Sequence, residues 1–191
     1  MLSFTNPAVP QPEDFDTVNN IFPGMHFYQF YKQMDDYLRV LIPFFHAGLR
    51  KGESGLWLAS ERMGLYDIES AVRSAIPNLD DYFTSGQFQI RSAETWYCED
   101  GVFDEEKTFV HARQYLAEMQ KAGFMQSRIA GDAGAVSHDQ WPKAVEYEKK
   151  ISSLIKSAPI IALCAYPILQ CTLTDTKAVL EEHDSVLVGR L

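Results

Sequence analysis

The sequence has no G-x-x-x-x-G-K-[ST] loop, no G-x-G-x-x-G turn, no H-E-x-x-H helix and no G-x-S-x-G elbow. No contiguous motif therefore announces phosphate-loop hydrolysis, dinucleotide binding, zinc-peptidase chemistry or a serine nucleophile. Cysteine is scarce: Cys98, Cys164 and Cys171, with no C-x-x-C. An odd count with no C-x-x-C argues against a disulfide framework or a structural zinc site and fits a reducing compartment. Positive charge is short, with 17 Lys and Arg against 26 Asp and Glu, a net charge of −9 and a pI near 5.0. Nucleic-acid binding draws its affinity from basic contacts to phosphates, so no direct nucleic-acid partner is expected. An anionic membrane surface is disfavoured on the same ground. No apolar run reaches the ~18 residues of a membrane span. The opening MLSFTNPAVPQPEDFD lacks the basic and apolar regions of a signal peptide. A cytoplasmic location is expected.

Long stretches of disorder-promoting composition are also missing. Hydrophobic residues make up 46% of 191 residues, enough for a substantial core in one domain. Residues 1–22 contain Pro7, Pro10 and Pro12 and are expected to form an arm with little regular structure. The domain proper is expected over 23–191.

From Met25 the pattern alternates between two periods. HFYQFY (26–31), GLWLAS (55–60), QFQIR (87–91), FMQSRIA (124–130), PIIALCAY (159–166) and SVLVG (185–189) read as strands. PIIALCAY is apolar on both faces, as in a central parallel strand. Helical spacing covers 32–49, 66–75, the segment capped by Asp104 and stopped at Gly123, about 141–157, and a last helix that Thr174 can cap, running through His183. Pro43 is expected to kink or divide the first of these helices. Pro142 suits the first turn of the fourth. Strands alternating with helices predict an α/β domain with a mostly parallel central sheet and helices on both faces. Ligands in such sheets bind beyond the carboxyl ends of the strands.

Several residues could carry a site. Glu148 follows Trp141, Ala144 and Val145 on the apolar stripe of its helix, so its carboxylate sits on or beside a buried face and needs a partner. Arg128 on the preceding strand is the first candidate. A structural ion pair and a snorkelling carboxylate are the alternatives. Asp132 ends a strand within A-G-D-A-G, although the glycines alone could make that turn. Alternation places His26, Tyr28 and Phe30 on one strand face, with Phe27, Gln29 and Tyr31 on the other. Trp96, Tyr97 and Trp141 could complete an aromatic pocket around His26, or serve as ordinary core. Cys164 lies near the end of an apolar strand, where a thiol is usually inert packing. The five histidines show no i, i+4 pairing, and no spacing asks for a metal or cofactor. Distant residues could still assemble a metal site.

These segments together resemble one family. H-F-Y-Q-F-Y, P-F-F-H-A-G-L-R-K-G-E, L-W-L-A-S-E, G-Q-F-Q-I, W-Y-C-E-D-G-V-F-D, R-I-A-G-D, W-P-K-A-V-E-Y-E and A-L-C-A-Y are similar, in order and spacing, to the MEDS domain, the sensory domain of DcmR-type regulators. The resemblance implies a RecA/KaiC-like three-layer fold that has lost its phosphate loop, with H-F-Y-Q-F-Y standing where that loop would be. It also implies a non-catalytic sensor of a small-molecule or metabolite signal, upstream of transcription or a kinase. The family pattern carries over to His26, Phe30, Tyr31, Glu61, Trp96, Tyr97, Arg128, Gly131, Trp141, Tyr147, Glu148, Cys164, Tyr166 and His183. Tyr28 and Asp132 depart from it: many members have cysteine at the first and a longer acidic or amide side chain at the second. From this, the expected ligand site comprises His26, Tyr31, Glu61, Trp96, Tyr97, Arg128, Asp132, Trp141, Glu148, Cys164 and Tyr166. Output is expected to pass through a separate histidine kinase or transcription regulator, or through a homo-oligomer. Two alternatives stay open: an enzyme on a degenerate phosphate-loop NTPase scaffold using His26, Glu148 or Asp132 as acid or base, and a ligand-independent interaction adaptor.

Overall fold

The computed structural model describes residue 18 and residues 20–188. The arm expected at 1–22 falls largely outside the described residues, but Val18 and Ile21 are buried in the core. Elements follow in the order β1 (His26–Tyr31), α1 (Met34–Leu49), β2 (Ser54–Ala59), α2 (Leu65–Ala75), α3 (Leu79–Thr84), β3 (Phe88–Ser92), α4 (Ala93–Tyr97) and α5 (Glu105–Lys121). They continue with β4 (Ser127–Asp132), α6 (Trp141–Ser157), β5 (Ile160–Pro167), α7 (Leu173–Glu182) and β6 (Ser185–Val186). The short helices α3 and α4 have no counterpart in the sequence pattern, being too brief to establish a period.

The six strands form one sheet in the order β3-β2-β4-β5-β1-β6, and every pairing is parallel. Parallel pairing forces each connection to cross the sheet, and helices cover both faces. One face packs Phe27, Tyr31, Trp57, Ala130 and Leu163 against α1 and α2. The other packs Tyr28, Leu56, Leu58 and Tyr166 against α4, α5, α6 and α7 in smaller clusters. Strand alternation decides which residues each face receives.

Local chemistry explains the boundaries. Asp104 caps α5 by accepting from the Lys107 amide at 3.0 Å. Gly123, just past that helix, takes φ +95°, a conformation glycine adopts without strain. Thr172 caps α7, rather than Thr174, because Asp175 can return the bond: Thr172 and Asp175 form a capping box. Pro43 does not divide α1, which runs unbroken from Met34 to Leu49. An internal proline costs about 3 kcal/mol. Leu41, Ile42, Phe44 and Phe45 are all buried around it, and burying each such side chain contributes about 1.5–3 kcal/mol, so packing wins. The last strand is shorter than its apolar run suggests, and residue 189 lies outside the described residues.

Candidate functional site

The β1–β5 register is the foundation of the site. His26 pairs with Ala162 and Tyr28 with Cys164, which leaves His26 and Cys164 on neighbouring strands and the same face. Above that face, α6 lowers Glu148 and, one turn later, Ser152. His183 stands immediately after α7. Residues far apart in sequence thus meet in one cluster: the ligating atoms of His26, Glu148, Cys164 and His183 all lie within 4.8 Å of one another.

His26 Nε2 is 3.3 Å from Cys164 Sγ and 3.6 Å from Glu148 Oε2. Cys164 Sγ is 3.8 Å and His183 Nε2 4.0 Å from the same carboxylate oxygen. Tyr166 donates its hydroxyl to Glu148 Oε1 at 3.1 Å and so orients the carboxylate. The outer ring nitrogens are held from behind. Ser152 donates its proton to the Glu182 carbonyl at 3.1 Å, so its oxygen accepts from His26 Nδ1 at 2.8 Å. His183 Nδ1 donates to the Val179 carbonyl at 2.7 Å. With both Nδ1 atoms acting as donors, the network assigns a lone pair to each Nε2, and both Nε2 atoms face the cluster. His183 Nε2 has no hydrogen-bond partner there.

Burial sets the protonation states. Desolvation, assisted by the nearby His183, lowers the His26 pKa to about 2. Desolvation lowers His183 to about 4. Both imidazoles are therefore neutral near pH 7. Desolvation raises Glu148 to about 7, against the hydrogen bonds from Tyr166 and Cys164. The thiol of Cys164 is pushed well up by burial and by the adjacent Glu148.

Two small cavities meet at Glu148. One, of about 60 Å³, is lined by His26, Trp96, Tyr97, Tyr147, Glu148 and Cys164 among others. The other, of about 30 Å³, lies between Trp141, Tyr166, Val179 and His183. One water needs ~10–15 Å³ of such space, so the larger cavity holds a ligand of only a few non-hydrogen atoms.

The remaining residues expected at the site separate from this cluster. Arg128 lies on the opposite sheet face, and the expected pair with Glu148 does not form. On β4, Ile129 faces α5 and α6, so its neighbour Arg128 must face α1. There Arg128 Nε meets Glu53 Oε2 at 2.5 Å, and Nη1 donates to the Phe44 carbonyl at 2.8 Å. Asp132 shares that parity. It accepts from the Tyr31 hydroxyl and from the Gly134 amide, each at 2.8 Å. Desolvation raises Asp132 to about 6. Glu61 belongs to a polar lattice at the strand ends: Ser92 donates to it at 2.8 Å, while Glu94 accepts from Ser60 and from the Glu61 amide. Of the eleven residues expected, His26, Trp96, Tyr97, Trp141, Glu148, Cys164 and Tyr166 line the Glu148 cavities, whereas Tyr31, Glu61, Arg128 and Asp132 do not.

Only Lys32 and Gln33 join β1 to α1. Neither is glycine, and two residues cannot wrap a phosphate as a glycine-rich loop does.

An all-parallel six-stranded sheet between two helical layers makes this a three-layer α/β domain, with a compact polar cluster against one sheet face. Residues 25–184 match the model of the family described as MEDS, MEthanogen/methylotroph, DcmR Sensory domain, and the chain belongs to that family. In structure it is similar to the flagellar accessory protein FlaH from Methanocaldococcus jannaschii, at 10% identity and a TM-score of 0.56, over 95% of this chain and 79% of that one. Comparison with curated protein sequences returns no match. Among the described residues, no helix is long and apolar enough to cross a membrane.

Proposed function

We propose that this sensory domain binds a small signal molecule in the chamber beside Glu148 and relays occupancy to a separate regulatory partner. The observation that carries this is the convergence of His26, Tyr97, Tyr147, Glu148 and Cys164 on one small cavity. Apolar walls with a few convergent polar groups are the ordinary chemistry of small-molecule recognition. The two-residue β1–α1 link supports binding without nucleotide hydrolysis. Relay requires that the ligand favour one of two arrangements, since a ligand shifts an equilibrium only by its differential affinity. Helices α6 and α7 are the elements placed to move. They carry Glu148 and precede His183, so a ligand drawing on both groups would change how the helices sit on the sheet.

A thermal-shift screen of small polar and hydrophobic metabolites, with Mg-ATP included, tests the proposal. At least one small compound is expected to raise the melting temperature, and Glu148→Gln and Tyr97→Ala are each expected to abolish that rise. A screen with no stabilising compound contradicts the proposal. So does a partner captured in stoichiometric amount with no dependence on any stabilising compound, or ATP turnover that Glu148→Gln abolishes.

A further inference from the structure

We infer that His26, Glu148, Cys164 and His183 form a binding site for one divalent transition-metal ion of the zinc class, approached through the cavities that meet at Glu148. The inference goes beyond the small-molecule proposal and does not depend on it.

Distance is the first support. Zinc bonds to nitrogen, oxygen and sulfur run ~2.0–2.3 Å, so the ligands of a tetrahedral site lie roughly 3.3–3.8 Å apart. The contacts here are 3.3, 3.6, 3.8 and 4.0 Å. The two remaining pairs, His26–His183 and Cys164–His183, lie within 4.8 Å, so loading the site would draw His183 inward by up to about an ångström.

The second support is the direction of the lone pairs. Nε2 of His183 is buried, lacks a hydrogen-bond partner and faces the cluster. Leaving a buried acceptor unsatisfied is costly, and a cation removes that cost. Both imidazoles also show the outer arrangement that metal-binding histidines use. Each donates its other ring proton, His26 to Ser152 and His183 to the Val179 carbonyl. Tyr166 does the same for the carboxylate.

Charge is the third. A thiolate and a carboxylate neutralise a divalent ion, so the loaded site is electrically neutral, which suits a buried position. Two imidazoles, one thiolate and one carboxylate are borderline to soft donors and select zinc, cobalt or iron over magnesium or calcium. On binding, the Cys164 thiol, and Glu148 where it is protonated, lose their protons to solvent as the metal–ligand bonds form; no electron moves. Four protein ligands close the coordination shell, the pattern of a structural or sensing site rather than of a hydrolytic one.

The test uses the full chain, stripped with a chelator and then titrated with Co²⁺. The folded protein is expected to retain one equivalent through gel filtration. It should show the visible bands of tetrahedral cobalt and a near-ultraviolet thiolate charge-transfer band, and Zn²⁺ should displace both. Cys164→Ser is expected to remove the charge-transfer band, whereas Cys98→Ser and Cys171→Ser keep it. Glu148→Gln and Ser152→Ala should weaken cobalt binding about tenfold or more. Folded wild-type protein that retains no stoichiometric cobalt overturns the inference, as does a charge-transfer band that survives in Cys164→Ser. Because the wild-type result decides by itself, a variant that fails to fold does not rescue the claim.

Discussion

Asp132 carries a cost at neutral pH. Its folded pKa of about 6 lies above the 3.8 of an ordinary aspartate. Between those values the folded state holds the proton more firmly than the unfolded state, so stability falls as pH rises from about 4 to about 6 and then levels off. The loss is of the order of 2–3 kcal/mol. Asp132→Asn keeps an acceptor for Tyr31 and Gly134 but cannot ionise. Glu148, raised to about 7, adds a fall of the same sign in this window, so chemical denaturation across pH 4–8 is expected to show a fall smaller by this amount in the variant, which is at least as stable as the parent at pH 8. An unchanged slope would mean that Asp132 does not titrate in this window. Single residues were partly legible in the sequence. The stripe Trp141–Ala144–Val145–Glu148 places the carboxylate beside a buried face, and it is half-buried there. His183 belongs to the cluster but not to the ligand site expected from sequence. Its signals were its place in the family pattern and at the end of the last helix, neither of which says what the ring faces.

At the scale of elements, alternation outweighs proximity in sequence. Arg128 is the basic residue on β4, the strand before α6, which makes it the natural partner for Glu148. Parity sends it through to the other side of the sheet, where α1 and Glu53 enclose it. Sequence gives the parity of a strand but not which parity faces which helix, and the pairing was lost at that step. The same contact explains Gly48 on α1. A β-carbon there would lie 2.6 Å from Arg128 Nε and 2.8 Å from Glu53 Oε2. Replacing a mid-helix glycine by alanine ordinarily stabilises by about 1 kcal/mol. Here the guanidinium and carboxylate are both buried and cannot retreat, and overpacking costs about 1–3 kcal/mol, more if the pair breaks. Gly48→Ala is therefore expected to destabilise by about 1 kcal/mol or more in urea denaturation. A net gain in stability would contradict the account of this contact. Element boundaries followed sequence well where a cap or a glycine marked them, as at Asp104 and Gly123. They followed poorly in α3 and α4, where too few residues repeat.

At the scale of the molecule, the alternation of strand and helix was enough to define a parallel sheet covered on both faces. The sequence motifs were enough to indicate the MEDS family, which the match over residues 25–184 shows. The strand order β3-β2-β4-β5-β1-β6 was not legible, because parallel neighbours are set by crossovers between segments that carry no pairing signal of their own. That order is what brings β1 beside β5, and with it His26 beside Cys164. The fold thus offers two places for a ligand: the carboxyl edge after β1, where a phosphate loop would sit, and the chamber under α6. We propose that the signal occupies the second. The most direct measurement is the nitrogen-15 NMR spectrum of the histidine side chains and backbone amides, recorded before and after adding a compound that raises the melting temperature. The expected result is that the ring nitrogens of His26 and His183 shift while the amides of Lys32 and Gln33 stay in place. Shifts confined to Lys32 and Gln33, with both histidines unmoved, would contradict the account.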